Sequence, residues 1–183
     1  MKEHKIHYIH AIKNEKKSMG NGPVFLSPDA TASAHNIHHA LDSYKPTPLI
    51  SLEGMAKRLG VKAVFIKDES QRFGLNAFKG LGGLYALTRV ICRELGINVD
   101  KISFEELQKP GWKEQIQRMV FVTATDGNHG KGVAWAASQL GCEAHVYMPA
   151  GSSELRAEAI RSFGKTEVRI MDTGYDDTGR YAS

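Results

Sequence analysis

Cysteine is nearly missing from this chain. Cys92 and Cys142 are the only two among 183 residues, too few for the disulfide framework of a small secreted scaffold. Long apolar runs are missing as well, and no stretch approaches the roughly 20 residues that span a bilayer. The opening MKEHKIHYIHAIKNEKKS is too polar for the apolar core of a secretory signal. These absences place the protein in a reducing cytoplasm and away from membranes. A dominant charge is lacking too, since 24 Lys and Arg against 20 Asp and Glu leave only +4. The basic residues are scattered and are not interleaved with aromatics as on a platform for stacked bases, so nucleic acid is not an expected partner. What remains is ordinary globular composition, 42% hydrophobic and 24% charged, at a length suited to one domain or one and a fraction.

Two nucleotide-binding motifs are also absent. A dinucleotide fingerprint needs G-x-G-x-x-G, but the run Gly80-Leu81-Gly82-Gly83-Leu84 places Tyr85 at the last position. Around Gly130-Lys131-Gly132 the phosphate-loop glycine five residues earlier is missing, and no Ser or Thr follows the lysine. Histidines are plentiful near the N-terminus, with His4, His7 and His10 at every third position and His35, His38 and His39 clustered. Neither set has zinc-ligand spacing with cysteines, so no metal site is expected. Residues 1–45 read as a polar N-terminal arm, a solvated helix with histidines on its face.

From Tyr44-Lys45-Pro46-Thr47-Pro48 onward the chain becomes regular. Each proline biases its predecessor toward extended geometry. Residues 63–67 read as a strand, 68–75 as a loop, and 76–95 as a helix that stops at Gly96. A polar connector containing Pro110 and Gly111 leads to residues 119–124, a continuous apolar strand of the kind buried on both faces. Residues 129–140 form a helix ending at Gly141, and 144–148 a strand ended by Pro149. Ser152 or Ser153 caps a helix running to Phe163 before Gly164. Residues 167–171 form a strand, and Tyr175 begins a helix inside which the chain stops, as a truncated frame would. Strands alternating with helices at this spacing predict a parallel sheet and an α/β fold.

Two places carry chemistry. Lys79 is the only charged residue between Phe73 and Thr88, in FGLNAFKGLGGLYALT. A lysine stripped of water favours its neutral amine, a nucleophile suited to a Schiff base with a carbonyl compound. The same residue also reads as a surface lysine whose head snorkels into water. The second place is Thr123-Ala124-Thr125-Asp126-Gly127-Asn128-His129-Gly130, which leaves a strand at its carboxyl end and enters a helix. Ligands of open α/β sheets bind there, and the free N–H groups of the helix start suit an anion. Asp126 or Asn128 reads equally well as a plain helix cap.

LNAFKGLGG followed by TDGNHGKGVAWAA resembles the fold-type II pyridoxal-phosphate enzymes, the family of threonine dehydratase, cysteine synthase and the tryptophan synthase β chain. More narrowly, KDESQRFGLNAFKGLGG, TATDGNHGKGVAWAA and YMPAGSSELRAEAIRSFG resemble the diaminopropionate ammonia-lyases, over about residues 44–177. The resemblance implies a tryptophan synthase β-like fold, with residues 46–104 in a large cofactor-binding domain and residues 105–183 in a smaller, truncated βα domain. It implies pyridoxal 5'-phosphate as cofactor, Lys79 as the lysine that carries it, and Asn128 as the partner of its ring oxygen. Gly127, Asn128 and His129 would face the substrate carboxylate together with Asp126. Most relatives have a small hydroxyl residue where this chain has Asp126, and the aspartate is similar to an acid–base group of the diaminopropionate enzymes. The implied reaction removes ammonia from either enantiomer of 2,3-diaminopropionate, giving pyruvate and a second ammonia. A threonine or serine dehydratase-like lyase and an inactive truncated remnant are the alternatives. The family's phosphate-binding glycine loop, pyridine-nitrogen partner and second catalytic aspartate would lie beyond Ser183. A homodimer is expected for the full-length form.

Overall fold

The computed structural model describes residues 22–183. The expectation for His4, His7 and His10 lies outside the described residues. The chain divides into two compact units, Met1–Thr31 and Ala32–Ser183. In the first, a 3-10 turn at Val24–Leu26 exposes its three apolar side chains. The helix α1 (Pro28–His39) starts there with proline at its first position, a place where the missing N–H costs nothing. Ser27 Oγ accepts the Ala30 N–H at 3.2 Å.

In the second unit, the end of α1 buries Ser33 and Ile37, and Ile37 and Leu41 join the main core. His38 is therefore not a solvated face residue. Its Nε2–H donates to the Leu81 carbonyl at 2.8 Å. Strand β1 (Leu49–Ser51), helix α2 (Glu53–Leu59) and strand β2 (Phe65–Lys67) follow, with β1 and β2 antiparallel and Ile50 opposite Ile66. Both strands are exposed along their length.

Helix α3 (Lys79–Glu94) begins three residues later than the sequence pattern predicts. The delay has a backbone cause, because Phe73, Gly74 and Asn76 have φ of 53°, 70° and 55°, a left-handed region no helix can continue through. The helix ends as expected, with Gly96 at φ 68°. Gly80, Gly83, Leu84, Leu87, Thr88, Ile91 and Cys92 form its buried face, spaced by threes and fours as one side of a helix requires.

The connector is more ordered than its polarity suggests. It holds α4 (Phe104–Leu107), closed by a reciprocal capping box between Ser103 and Glu106, and α5 (Pro110–Ile116), again opened by a proline. The rest alternates strictly: β3 (Val120–Ala124), α6 (Asn128–Leu140), β4 (Glu143–Met148), α7 (Glu154–Arg161), β5 (Lys165–Ile170) and α8 (Tyr175–Tyr181). The three strands form a parallel sheet in the order β3-β4-β5. Gly141 and Gly164, at φ 78° and 50°, stop the chain after α6 and α7. Ser153 takes the N-cap position of α7, but by its backbone carbonyl and without a side-chain bond. The α8 helix completes its last turn, with the Ala182 N–H on the Thr178 carbonyl at 3.1 Å.

Ala144, Val146 and Met148 turn into the α6 and α7 side of the sheet and are buried, while Glu143, His145 and Tyr147 alternate outward. Tyr147 meets Tyr181 of α8 edge-on at 4.9 Å. The expectation that β3 is buried on both faces is corrected, since Val120 and Val122 are each 47% exposed. As an edge strand, β3 has α6 behind Phe121, but its other face is only partly covered by the described residues. An apolar run shows that a strand can be buried twice, not which segment covers it.

Candidate active site

Thr125 organises the loop beyond β3. Its N–H extends the ladder to the Tyr147 carbonyl at 2.9 Å, and its buried Oγ1 accepts both the Gly127 and Gly130 N–H groups at 3.1 Å. Neither Asp126 nor Asn128 caps α6, whose N-cap is Gly127 with no side-chain bond. The cap reading is thus corrected, and the capping hydroxyl is one the sequence reading passed over. Its available signal was a threonine placed before a tight glycine turn, where hydroxyls bond local backbone. Gly130 is required here, because a β-carbon would lie 2.3 Å from Thr125 Cγ2 and 2.8 Å from Val146 Cγ1.

Lys79 occupies the first position of α3. Its backbone is pinned by α6, since a β-carbon on Gly132 would stand 2.8 Å from the Lys79 carbonyl carbon, and one on Gly83 the same distance from the Gly132 oxygen. The side chain is exposed, with Nζ 5.1 Å from the Phe78 ring centroid. The expected desolvated lysine is therefore corrected for the described residues. The helix turns Gly80 inward, and Lys79 projects from its open end. Lys79 lines the mouth of a cleft of about 400 Å³ together with Phe78, Gly83, Phe121 and His129. Partial desolvation, and after it the positive charge of Lys79, hold the His129 imidazole below the ordinary histidine value.

Seven residues before Lys79, Arg72 centres a polar clamp. Arg72, 5% exposed, donates from Nε to Glu69 Oε2 at 2.7 Å, from Nη2 to Glu69 Oε1 at 3.0 Å and Thr47 Oγ1 at 3.2 Å, and from Nη1 to the Lys45 carbonyl at 2.8 Å. The Arg72 hydrogen bond outweighs burial and holds the Glu69 carboxyl down at about 2. The guanidinium sits 5.0 Å from the Tyr44 ring centroid and 5.7 Å from that of Phe73. Phe73 stacks on Trp135 of α6 at 4.3 Å, and both rings crowd the place a Gly80 β-carbon would take.

Thus Lys79 and His129 share one cleft. Gly127 and Asn128 line a second, smaller one of about 170 Å³ with Lys131 and Arg156. Asp126 is exposed and lines neither, while its backbone carbonyl accepts Arg156 Nη1 at 3.3 Å. An aldehyde-bearing aromatic cofactor fits this set. Lys79 offers a primary amine, Gly82 and Gly83 leave the cleft wall without side chains, and the cleft volume lies in the usual ligand range of roughly 300–1,000 Å³.

Residues 40–183 match the family model described as "Pyridoxal-phosphate dependent enzyme". The chain is 48% identical over 177 residues to the diaminopropionate ammonia-lyase of Salmonella typhimurium, covering 97% of this chain and 44% of the relative. With the diaminopropionate ammonia-lyase of Escherichia coli K12 it shares 44% over 170 residues, 92% of this chain and 41% of that one. The crystal structure of the Escherichia coli enzyme in apo form superposes with a TM-score of 0.78 over 89% of this chain and 43% of its own. The chain therefore spans less than half the length of the relatives it matches, and its parallel sheet and flanking helices follow the fold-type II pattern. With the match running unbroken from the turn after α1 through α8, the chain belongs to the pyridoxal-phosphate dependent enzyme family.

Proposed function

We propose that the full-length protein is a pyridoxal-phosphate-dependent ammonia-lyase that acts on 2,3-diaminopropionate and releases pyruvate and ammonia. The observation that carries this reading is the opening of Lys79, at the start of α3, into a cleft beside the Asp126–Asn128 loop at the carboxyl end of β3. Identities of 44–48% to diaminopropionate ammonia-lyases support the substrate class. Bound pyridoxal phosphate supplies an electron sink for the carbanion left when the α-proton departs.

Lys79 and Asn128 hold the cofactor in this reading. With the cofactor bound, the Lys79 amine would take the α-proton on one face, and the Asp126 carboxylate would serve the other. Two bases on opposite faces let one site accept both enantiomers. The N–H groups of Asn128 and His129, in the opening turn of α6, bind the substrate carboxylate together with the Gly127 turn. The α3–α6 contact, with glycine on both sides, keeps these groups in register. A lyase acting on threonine or serine would share Lys79 and Asn128 and would not need Asp126.

For the full-length protein we also infer a homodimer, and a large and a small domain meeting between residues 104 and 105. The separate β1–β2 and β3–β4–β5 sheets support the division, while in this chain α3 packs on α6 across it and the boundary falls in α4. A cytoplasmic setting is supported by Cys92 and Cys142, both free and buried. Among the described residues, no helix is long and apolar enough to cross a membrane.

The test is release of ammonia and pyruvate from each diaminopropionate enantiomer, and from threonine and serine, by the full-length protein and its Asp126→Asn variant. The expected result is turnover of both enantiomers, with one lost far more than the other in the variant. Equal losses refute the opposite-face roles, and turnover of threonine or serine alone refutes the substrate.

A further inference from the structure

Three consecutive residues of α6 each touch a different part of the site. Gly130 backs onto Thr125, which ties the Asp126–Asn128 loop, and Gly132 backs onto the carbonyl of Lys79. Between them, Lys131 reaches across to the other loop, with Nζ donating to the Leu75 carbonyl at 3.2 Å. The Lys131 N–H meanwhile bonds the Gly127 carbonyl at 3.0 Å. One residue thus holds the turn of one loop by its backbone and the carbonyl of the other by its side chain.

The loop it reaches needs such support. Residues 73–76 contain three left-handed residues, Phe73, Gly74 and Asn76. Leu75, 2% exposed, sits among them four residues before Lys79. A short 3-10 segment, Glu69–Gly74, broken by non-helical backbone at Arg72 and Phe73, ends here. The Leu75 N–H bonds the Arg72 carbonyl at 2.9 Å, and its carbonyl is met by Lys131. An ammonium on a carbonyl makes a charge-assisted bond, stronger than a neutral pair. The stretch between Leu75 and Lys79 is too short to absorb a shift of the carbonyl without moving the lysine.

The geometry points to Lys131 as a positioning residue that sets Lys79 against the Asp126–Asn128 loop. This rests on the reading of Lys79 as the cofactor lysine. In this role Lys131 acts through the Leu75 carbonyl and the backbone leading to Lys79. The Gly-Lys-Gly run that fails as a phosphate loop thereby acquires a mechanical role.

The test uses the full-length protein with Lys131→Met, which keeps the stem and removes the charge, and Lys131→Arg, which keeps a donor. Hydrogen exchange of residues 73–80 is measured without cofactor, and borohydride trapping of pyridoxal phosphate on Lys79 with it. The Met variant is expected to exchange faster in residues 73–80 while the rest of α3 stays protected. It should also trap at Lys79 about tenfold more slowly, with kcat lowered and KM little changed, as misplacement of a reacting group demands. The Arg variant should recover most of both effects. Unchanged exchange and trapping in the Met variant overturn the proposal, as does a general loss of protection that Arg fails to rescue. If the Met variant does not fold, Lys131→Gln, whose shorter side chain cannot span to the Leu75 carbonyl, takes its place: faster exchange in residues 73–80 with α3 intact supports the role, and exchange equal to the parent refutes it. If the unsubstituted protein traps nothing at Lys79, the cofactor reading fails by itself, and the exchange measurement still decides whether Lys131 fixes the loop.

Discussion

Gly132 and Lys79 meet backbone to backbone, so closely that a β-carbon on the glycine would lie 2.8 Å from the lysine's carbonyl carbon and 2.9 Å from its oxygen. Neither atom belongs to a flexible side chain that could swing away. Gly132→Ala must therefore push α3 and α6 apart. We expect destabilisation of about 1–3 kcal/mol, typical of overpacking, and slower cofactor trapping at Lys79. Urea unfolding and borohydride trapping of the full-length protein check both.

Thr125 accepts two backbone N–H groups with one buried oxygen. Thr125→Val keeps the shape and removes the acceptor, leaving the donors of Gly127 and Gly130 unmatched. A cost of about 1–3 kcal/mol follows from leaving buried groups unsatisfied. Thr125→Ser keeps the oxygen and should recover much of the loss. The comparison of the two unfolding midpoints separates hydrogen bonding from the methyl contact with Gly130.

The Arg72–Glu69 pair gives an acid-side signature. The Glu69 carboxyl is held from 4.5 down to about 2, so the folded state favours the carboxylate more than the unfolded state does. That contribution is fully present above pH 4.5 and is lost as pH falls toward 2. Arg72→Met leaves the partly buried Glu69 carboxylate without its main hydrogen-bond partner and should cost about 1–3 kcal/mol near neutral pH. Stability measured against pH should fall less steeply between pH 4.5 and 2 in this variant than in the parent.

His38 works nearer neutrality. Burial, the largest influence, lowers its value below 6.5; the Leu81 hydrogen bond opposes this, and the charges of Arg72, His39 and His35 add to the lowering. The folded state therefore resists protonation, so the contribution is intact above pH 6.5 and declines as pH falls below it. His38→Gln, which can still donate to Leu81, should flatten that decline. Thermal unfolding between pH 7.5 and 5.5 measures the difference.

Much of this architecture was legible from local chemistry. Gly96, Gly141 and Gly164 stop their segments as left-handed glycines do, and the alternation after residue 119 gives the parallel sheet. The start of α3 was hidden because it depends on Phe73 and Asn76 taking left-handed backbone, which tertiary packing under Trp135 and Arg72 permits and local preference disfavours. Arg72 itself reads as a loop charge until Glu69, Thr47 and the Lys45 carbonyl surround it. The isolation of Lys79 in sequence did not translate into burial, because neighbours along a helix are not neighbours across a core. Its position beside the β3 loop was readable, and its exposure was not.

Reductive trapping decides the central claim. The full-length protein is incubated with pyridoxal phosphate, reduced with borohydride, digested, and the labelled peptide mapped. Label on Lys79, in the peptide containing Asn76-Ala77-Phe78-Lys79, is the expected result. Label confined to another lysine, or none, contradicts the assignment of this chain's Lys79 as the residue that carries the cofactor.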